Sequence, residues 1–195
     1  MARPRYEAGQ TTAREIIIET FWRLLTVKPF SKTSVRELVH ESGVNKNTFY
    51  YHFQSVEDLA REAVEETLDP RFLSAMLAHA TQGAPAPGWM SKNDFSTRVD
   101  RMCLIASENS SPELQTMMRE AIGAKWQDAF GFDTATLRLQ DRLAYEFALG
   151  GVMSLFAYRA LAGSKFNLAE ITETRFASSI AEMLSTLGRD RELGR

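Results

Sequence analysis

The chain has 195 residues, 44% of them hydrophobic, and a formal net charge of -2, enough apolar material to bury a core in one domain or two. Its most apolar stretch, Phe147 to Leu161, is interrupted by Gly150, Gly151, Ser154 and Arg159, which excludes a membrane span of roughly 18 apolar residues. Cys103 is the single cysteine, so no intrachain disulfide can form, and Arg3 and Arg5 precede no charge-free apolar run of the secretory kind; a cytoplasmic location is expected.

Helical patterning begins at Thr12-Ala13-Arg14-Glu15, which has the form of a capping box, and Ile16, Ile17, Phe21, Leu24 and Leu25 follow at helical spacing until Lys28-Pro29. Ser34-Val35-Arg36-Glu37 reads as a second capping box, opening a short helix that carries Leu38 and ends at Ser42-Gly43. Asn45 is placed to cap a third helix running through Tyr51 to Phe53, and Ser55 with Asp58 a fourth that runs toward Leu68 and is closed by Pro70. A tight turn between the second and third helices is helix-turn-helix geometry. Gly, Pro and Ser gather between Thr81 and Lys92 and predict a loop; helices are then expected over about 94–108, 112–130, 134–161 and 168–187. No strand-like alternation competes with them.

The small net charge hides an asymmetry. Residues 1–55 hold eight Lys and Arg against five acids, a balance of +3, while the remainder carries -5. A basic N-terminal unit on an acidic body allows one face to approach phosphate without indiscriminate adsorption.

The stretch from Ser34 to Leu59, SVRELVHESGVNKNTFYYHFQSVEDL, resembles the DNA-binding region of TetR-family transcriptional regulators in residue type and spacing. The matching features are the capping Ser34, the Gly43-Val44 turn, Thr48-Phe49-Tyr50, His52-Phe53, and Glu57 to Leu59. The resemblance implies an all-α fold: a three-helix helix-turn-helix domain over residues 1–55 and a helical ligand-binding and dimerisation domain over 56–195. In such a module the second helix of the pair enters the major groove N-terminus first. Lys46 and Asn47 are then candidates for guanine and adenine edges, and Arg36 for a guanine. Thr33, Ser34, Asn45, Thr48, Tyr50, Tyr51 and His52 complete the expected DNA contacts, several as hydroxyl or imidazole donors to phosphate. Two positions depart from the family pattern. Val56 replaces a lysine that grips phosphate, leaving backbone N–H groups at the start of the fourth helix as the expected anchor, and Asn47 stands where a small residue is usual. Arg3 and Arg5 are placed to reach the duplex from an N-terminal arm, although a tail without function fits them equally.

Beyond residue 70 the resemblance is one of architecture. It implies that the last two long helices pair with those of a second subunit, with Leu143, Phe147, Gly150, Gly151 and Ser154 on one and Phe176, Ile180, Met183, Leu184 and Leu187 on the other as interface candidates. The same residues would equally serve an intrachain core. Met102, Cys103, Met117, Trp126 and Phe130, with Ile105, Met118 and Ile122, form a Met-rich aromatic set suited to an adaptable apolar pocket, a composition that plain core shares.

The expected function is that of a homodimeric repressor, bound to a palindromic operator in double-stranded DNA and released by a small apolar effector. The alternatives are a ligand-independent regulator controlled by a protein partner, and a helical enzyme that borrows the DNA-binding module. No nucleophile motif, phosphate-binding glycine loop or metal-ligand spacing is present, so no catalytic residue, metal or cofactor is assigned.

Overall fold

The computed structural model describes residues 12–85, 87–162 and 175–187, with only the backbone of residues 80, 81 and 175–177. Arg3 and Arg5, the first part of the last expected helix and the side chain of Phe176 lie outside the described residues. All regular structure among the described residues is helical: α1 (Ala13–Val27), α2 (Val35–Ser42), α3 (Lys46–His52), α4 (Val56–Thr67), α5 (Pro70–Gln82), α6 (Lys92–Ala106), α7 (Pro112–Phe130), α8 (Leu139–Ala162) and α9 (Arg175–Thr186), with short 3-10 turns at Phe30–Lys32 and Thr134–Thr136. Two compact units divide between Ala63 and Val64, inside α4 rather than at its start.

The caps explain where the helices begin. Thr12 and Glu15 form the full reciprocal box at α1. At α2 only half of the expected box is made: the Glu37 N–H donates to Ser34 Oγ at 3.3 Å, but the Glu37 carboxylate turns to the Lys28 ammonium instead of the Ser34 backbone. The ammonium brings a full positive charge where the backbone N–H brings only a dipole, so the ion pair outweighs the cap bond, and Lys28 Nζ is steered further by the Lys32 carbonyl at 3.0 Å. Pro70 does more than end α4. It occupies the first turn of α5, where its missing N–H is no loss, behind an Asp69 side chain that accepts from Arg71 and Phe72.

In the first unit, Ile17, Phe21 and Leu25 descend one face of α1 and meet Leu38 of α2, Phe49 of α3, Phe53 and Leu59, all essentially without solvent exposure. Each such side chain contributes about 1.5–3 kcal/mol through burial. In the second unit α6 packs along α8 and α7, while α9 lies against α5, α7 and α8. Arg98 of α6 reaches the C-terminal carbonyls of α4, donating to Glu66 and, at 3.3 Å, to Thr67, with its guanidinium 5.6 Å from the Phe72 ring centroid. The helix expected from residue 134 starts at Leu139, because Asp133 caps the Ala135 N–H and closes a 3-10 turn first.

Candidate nucleic-acid interface

The turn between α2 and α3 depends on one backbone conformation. Gly43 has φ +70°, and a Cβ there would meet nothing within 4 Å, so the constraint is the left-handed conformation itself, not space. Two residues later Asn45 caps α3 through its side chain. The helix is then held from inside by Phe49, fully buried and packed on Phe53 at a ring-centroid distance of 5.9 Å. One turn away on the other side, Lys46, Asn47, Tyr50 and Tyr51 are exposed, Tyr51 at 83%. The Lys46 ammonium stands 5.8 Å from the Tyr50 ring centroid, a cation–π contact that limits where the lysine reaches. Thr48 and His52 are half-buried, and His52 meets the Tyr51 ring edge-on at 5.0 Å.

Six cations of this unit fall into two groups. Arg14 pairs with Glu62 at 2.7 Å, Arg23 with Glu41 at 3.0 Å, and Lys28 with Glu37. The hydrogen bond from Arg23, reinforced by His40, holds the Glu41 carboxyl below its usual range, so this neutralising charge persists. Lys32, Arg36 and Lys46 are exposed and form no ion pair with the described residues. All three flank the helix-turn-helix: Lys32 immediately before Thr33, Arg36 on the first turn of α2, and Lys46 at the tip of α3. Acids of the unit thus neutralise Arg14, Arg23 and Lys28 and leave Lys32, Arg36 and Lys46 without an ion pair among the described residues.

Thr33 closes the 3-10 turn through its N–H on the Phe30 carbonyl at 2.9 Å, and Ser34 is exposed with its oxygen engaged as the α2 cap. Lys32 was not legible as part of this set, since nothing but its pairing distinguishes it from the neighbouring Lys28. At the start of α4, Gln54 N–H donates to Asp58 Oδ2 at 2.8 Å and Asp58 N–H to Ser55 Oγ at 3.1 Å, so the Asp58 amide is taken up by the cap. Val56 is buried at 8% exposure. The position contributes to the core instead of to a phosphate grip.

In the second unit, Met102, Cys103, Met118 and Trp126 are buried and Met117 and Phe130 half-buried. The set is not purely apolar: Arg159, joined to Asp100 at 2.6 Å, donates to Cys103 Sγ at 3.2 Å. Burial pushes the Cys103 thiol up against the opposing pull of Arg159. On α8, Leu143 and Phe147 are exposed at 60% and 77%, Ser154 is exposed, and Gly150 and Gly151 are half-buried. Leu139, Tyr158 and Leu161, equally exposed, extend the same face. Ile180 and Met183 are half-buried, whereas Leu184 and Leu187 are buried within their own chain. Those two leucines belong to the core of the unit and offer no surface to a partner. Among the described residues no group of three or more His, Cys, Asp or Glu side chains is placed to hold a metal ion, and no helix is long and apolar enough to cross a membrane.

Residues 17–63, within the first unit, match the family model of bacterial regulatory proteins of the tetR family. An uncharacterized HTH-type transcriptional regulator of Bacillus subtilis, YerO, is 31% identical over 109 residues, covering 52% of this chain and 38% of that one. An uncharacterized HTH-type transcriptional regulator of Haemophilus influenzae is 35% identical over 123 residues, 63% of this chain and 57% of that one. The match therefore spans less than two thirds of either relative. The fatty acid degradation regulator FadR of Bacillus halodurans shares the fold, with a TM-score of 0.56 over 91% of this chain and 96% of that one at 13% identity. With its Gly43 turn, its Phe49-anchored α3 and a matching model over 17–63, the first unit is similar to the DNA-binding region of bacterial regulatory proteins of the tetR family.

Proposed function

We propose that the chain is a sequence-specific DNA-binding transcriptional regulator, acting as a homodimeric repressor on a palindromic operator. The observation that carries this is the division of charge in the first unit: Arg14, Arg23 and Lys28 are paired internally, while Lys32, Arg36 and Lys46 stand exposed around a helix whose tip is open. An all-purpose basic surface would need no such division. Base readout falls to Arg36, Lys46 and Asn47, and Thr33, Ser34, Tyr50, Tyr51 and His52 set the register on phosphate.

Selection of duplexes from a randomised pool by the purified chain tests this directly. An inverted repeat is the expected product; retention without sequence preference that disappears at moderate salt would overturn specific readout. Within that repeat, Arg36→Ala should lower affinity about 10- to 100-fold at one base pair, corresponding to about 1–3 kcal/mol, and relax the preference there. Tyr50→Phe should weaken all sequences alike and only a few-fold. Equal losses at every base position for Arg36→Ala would reassign that residue to phosphate.

The second subunit belongs on α8. Leu139, Leu143, Phe147, Gly151, Ser154, Tyr158 and Leu161 recur three or four residues apart along it, so one face of the helix is apolar at both ends and small in the middle, the form that lets two such helices approach closely. A two-fold pair brings two reading helices to one operator, whose half-sites lie about 34–36 Å apart. Ile180 and Met183 of α9, both half-buried, would complete that contact.

An apolar effector would enter the interior between α6, α7 and α8, beside Met102, Cys103, Met117, Trp126 and Phe130. Release from DNA requires that it bind the DNA-incompetent arrangement more tightly. A compound that raises the melting temperature of the free chain by occupying this interior should therefore weaken operator binding. Stabilisation with unchanged operator affinity would favour regulation without a ligand.

A further inference from the structure

Helix α2 is eight residues long and fully buries one side chain, Leu38, with Val35 and Val39 half-buried beside it. Apolar burial is non-directional, so this narrow anchor holds α2 against the core more firmly than it fixes the rotation of the helix about its own axis. Glu37 and Glu41 lie one turn apart and share a flank of α2. Each meets a cation of α1 or its cap: Glu41 accepts from Arg23 at 3.0 Å, and Glu37 pairs with Lys28, the C-cap of α1. Lys28 also donates to the Lys32 carbonyl at 3.0 Å, across the 3-10 turn that leads into α2. The four side chains keep between 20% and 55% exposure, a setting in which ion pairs add little net stability. Unlike the apolar anchor, however, their hydrogen bonds are directional.

We propose that the Arg23–Glu41 and Lys28–Glu37 pairs set the roll of α2 and thereby aim Arg36, which makes these four side chains positioning residues for sequence readout that touch no DNA themselves. This rests on the proposal that Arg36 meets a base edge. Arg36 stands about 100° round the helix from Glu37, exposed, and its guanidinium forms no hydrogen bond or ion pair with the described residues. Its reach is therefore set by the backbone that carries it. A roll of about 20° at the roughly 5–6 Å radius of a helix's side-chain surface displaces a group by about 2 Å, more than a hydrogen bond to a base edge tolerates. The pairs thus act on discrimination between sequences, while the charge they carry acts on affinity for any duplex.

The test separates those two effects, because they have opposite signs in one variant. Full-length Glu37→Gln/Glu41→Gln breaks both ion pairs, and since glutamine also suits the capping box at Ser34, it is expected to melt within about 5 °C of the parent protein. It loses two negative charges, so Coulomb attraction alone would strengthen binding to every duplex alike. The expected result is different: the preference for a duplex selected by the parent over a scrambled one, measured at equal salt, falls about tenfold, in line with one lost base contact. An unchanged or larger preference overturns the proposal. A charge inversion decides the matter independently, including where the glutamine variant fails to fold. Arg23→Glu alone sets two carboxylates against each other and should lose preference, whereas Arg23→Glu with Glu41→Arg restores the pair with its sign reversed and should regain it. If the inverted pair discriminates no better than Arg23→Glu alone, the pairing does not position α2 and the proposal fails. Failure of the parent protein to select any duplex would instead remove the DNA-binding reading on which the proposal rests.

Discussion

Phe147→Asp is expected to leave each chain folded, convert the proposed dimer to a monomer and reduce affinity for an inverted-repeat operator by at least about a hundredfold. Phe147 is 77% exposed in the single chain, so its replacement removes few intrachain contacts and should change chain stability by no more than about 0.5 kcal/mol. Across a two-fold axis the same change places two carboxylates in a contact otherwise made by Leu143, Gly151 and Ser154, and an uncompensated buried charge costs about 3–5 kcal/mol. Once the subunits separate, each half-site is bound alone. The advantage of linked binding, about 10²–10⁴ over single-site affinity, is lost. Sedimentation equilibrium paired with binding to a whole operator and to a half-site checks both steps, because half-site affinity should be unaltered. A variant that sediments as the parent dimer would remove α8 from the interface.

What could be read from the sequence depended on how local each signal was. The capping box at Thr12, the left-handed Gly43 and the cap at Asn45 are set by neighbouring residues, and the structure contains all three. The box at Ser34 is half made because Lys28, from the end of the preceding helix, draws Glu37 away, a competition that a four-residue motif cannot display. The same non-locality hid Lys32. Its availability depends on which cations the acids of α2 and α4 neutralise, and that is decided by packing. At the start of α4 the replacement of lysine by Val56 was legible, but not that Val56 turns into the core or that Asp58 takes the Gln54 N–H. In the second unit helical periodicity located the elements yet could not sort apolar faces. Phe147 and Leu184 look alike in sequence; one faces solvent and the other is fully buried.

The α7–α8 packing makes a prediction whose sign reverses with a second substitution. A Cβ built on Gly123 of α7 would overlap the hydroxyl oxygen of Tyr145 on α8, while the next atoms, Tyr145 Cζ at 3.5 Å and Leu149 Cδ2 at 3.9 Å, lie at ordinary contact. The ring cannot swing away cheaply, since Tyr145 is buried and sits edge-on to Trp126 and Phe132 at 6.3 and 5.8 Å between ring centroids. Gly123→Ala is therefore expected to destabilise the chain by about 1–3 kcal/mol through overpacking, despite the roughly 1 kcal/mol that alanine gains over glycine in a helix interior. Tyr145→Phe removes the one atom in conflict. On that background Gly123→Ala should become neutral or stabilising by up to about 1 kcal/mol, so the two substitutions couple by about 2–3 kcal/mol in a double-mutant cycle. Urea denaturation of the four proteins measures it. Additive effects would mean that α7 and α8 are not joined through this hydroxyl, and that the glycine serves helix approach along its whole length instead of at one atom.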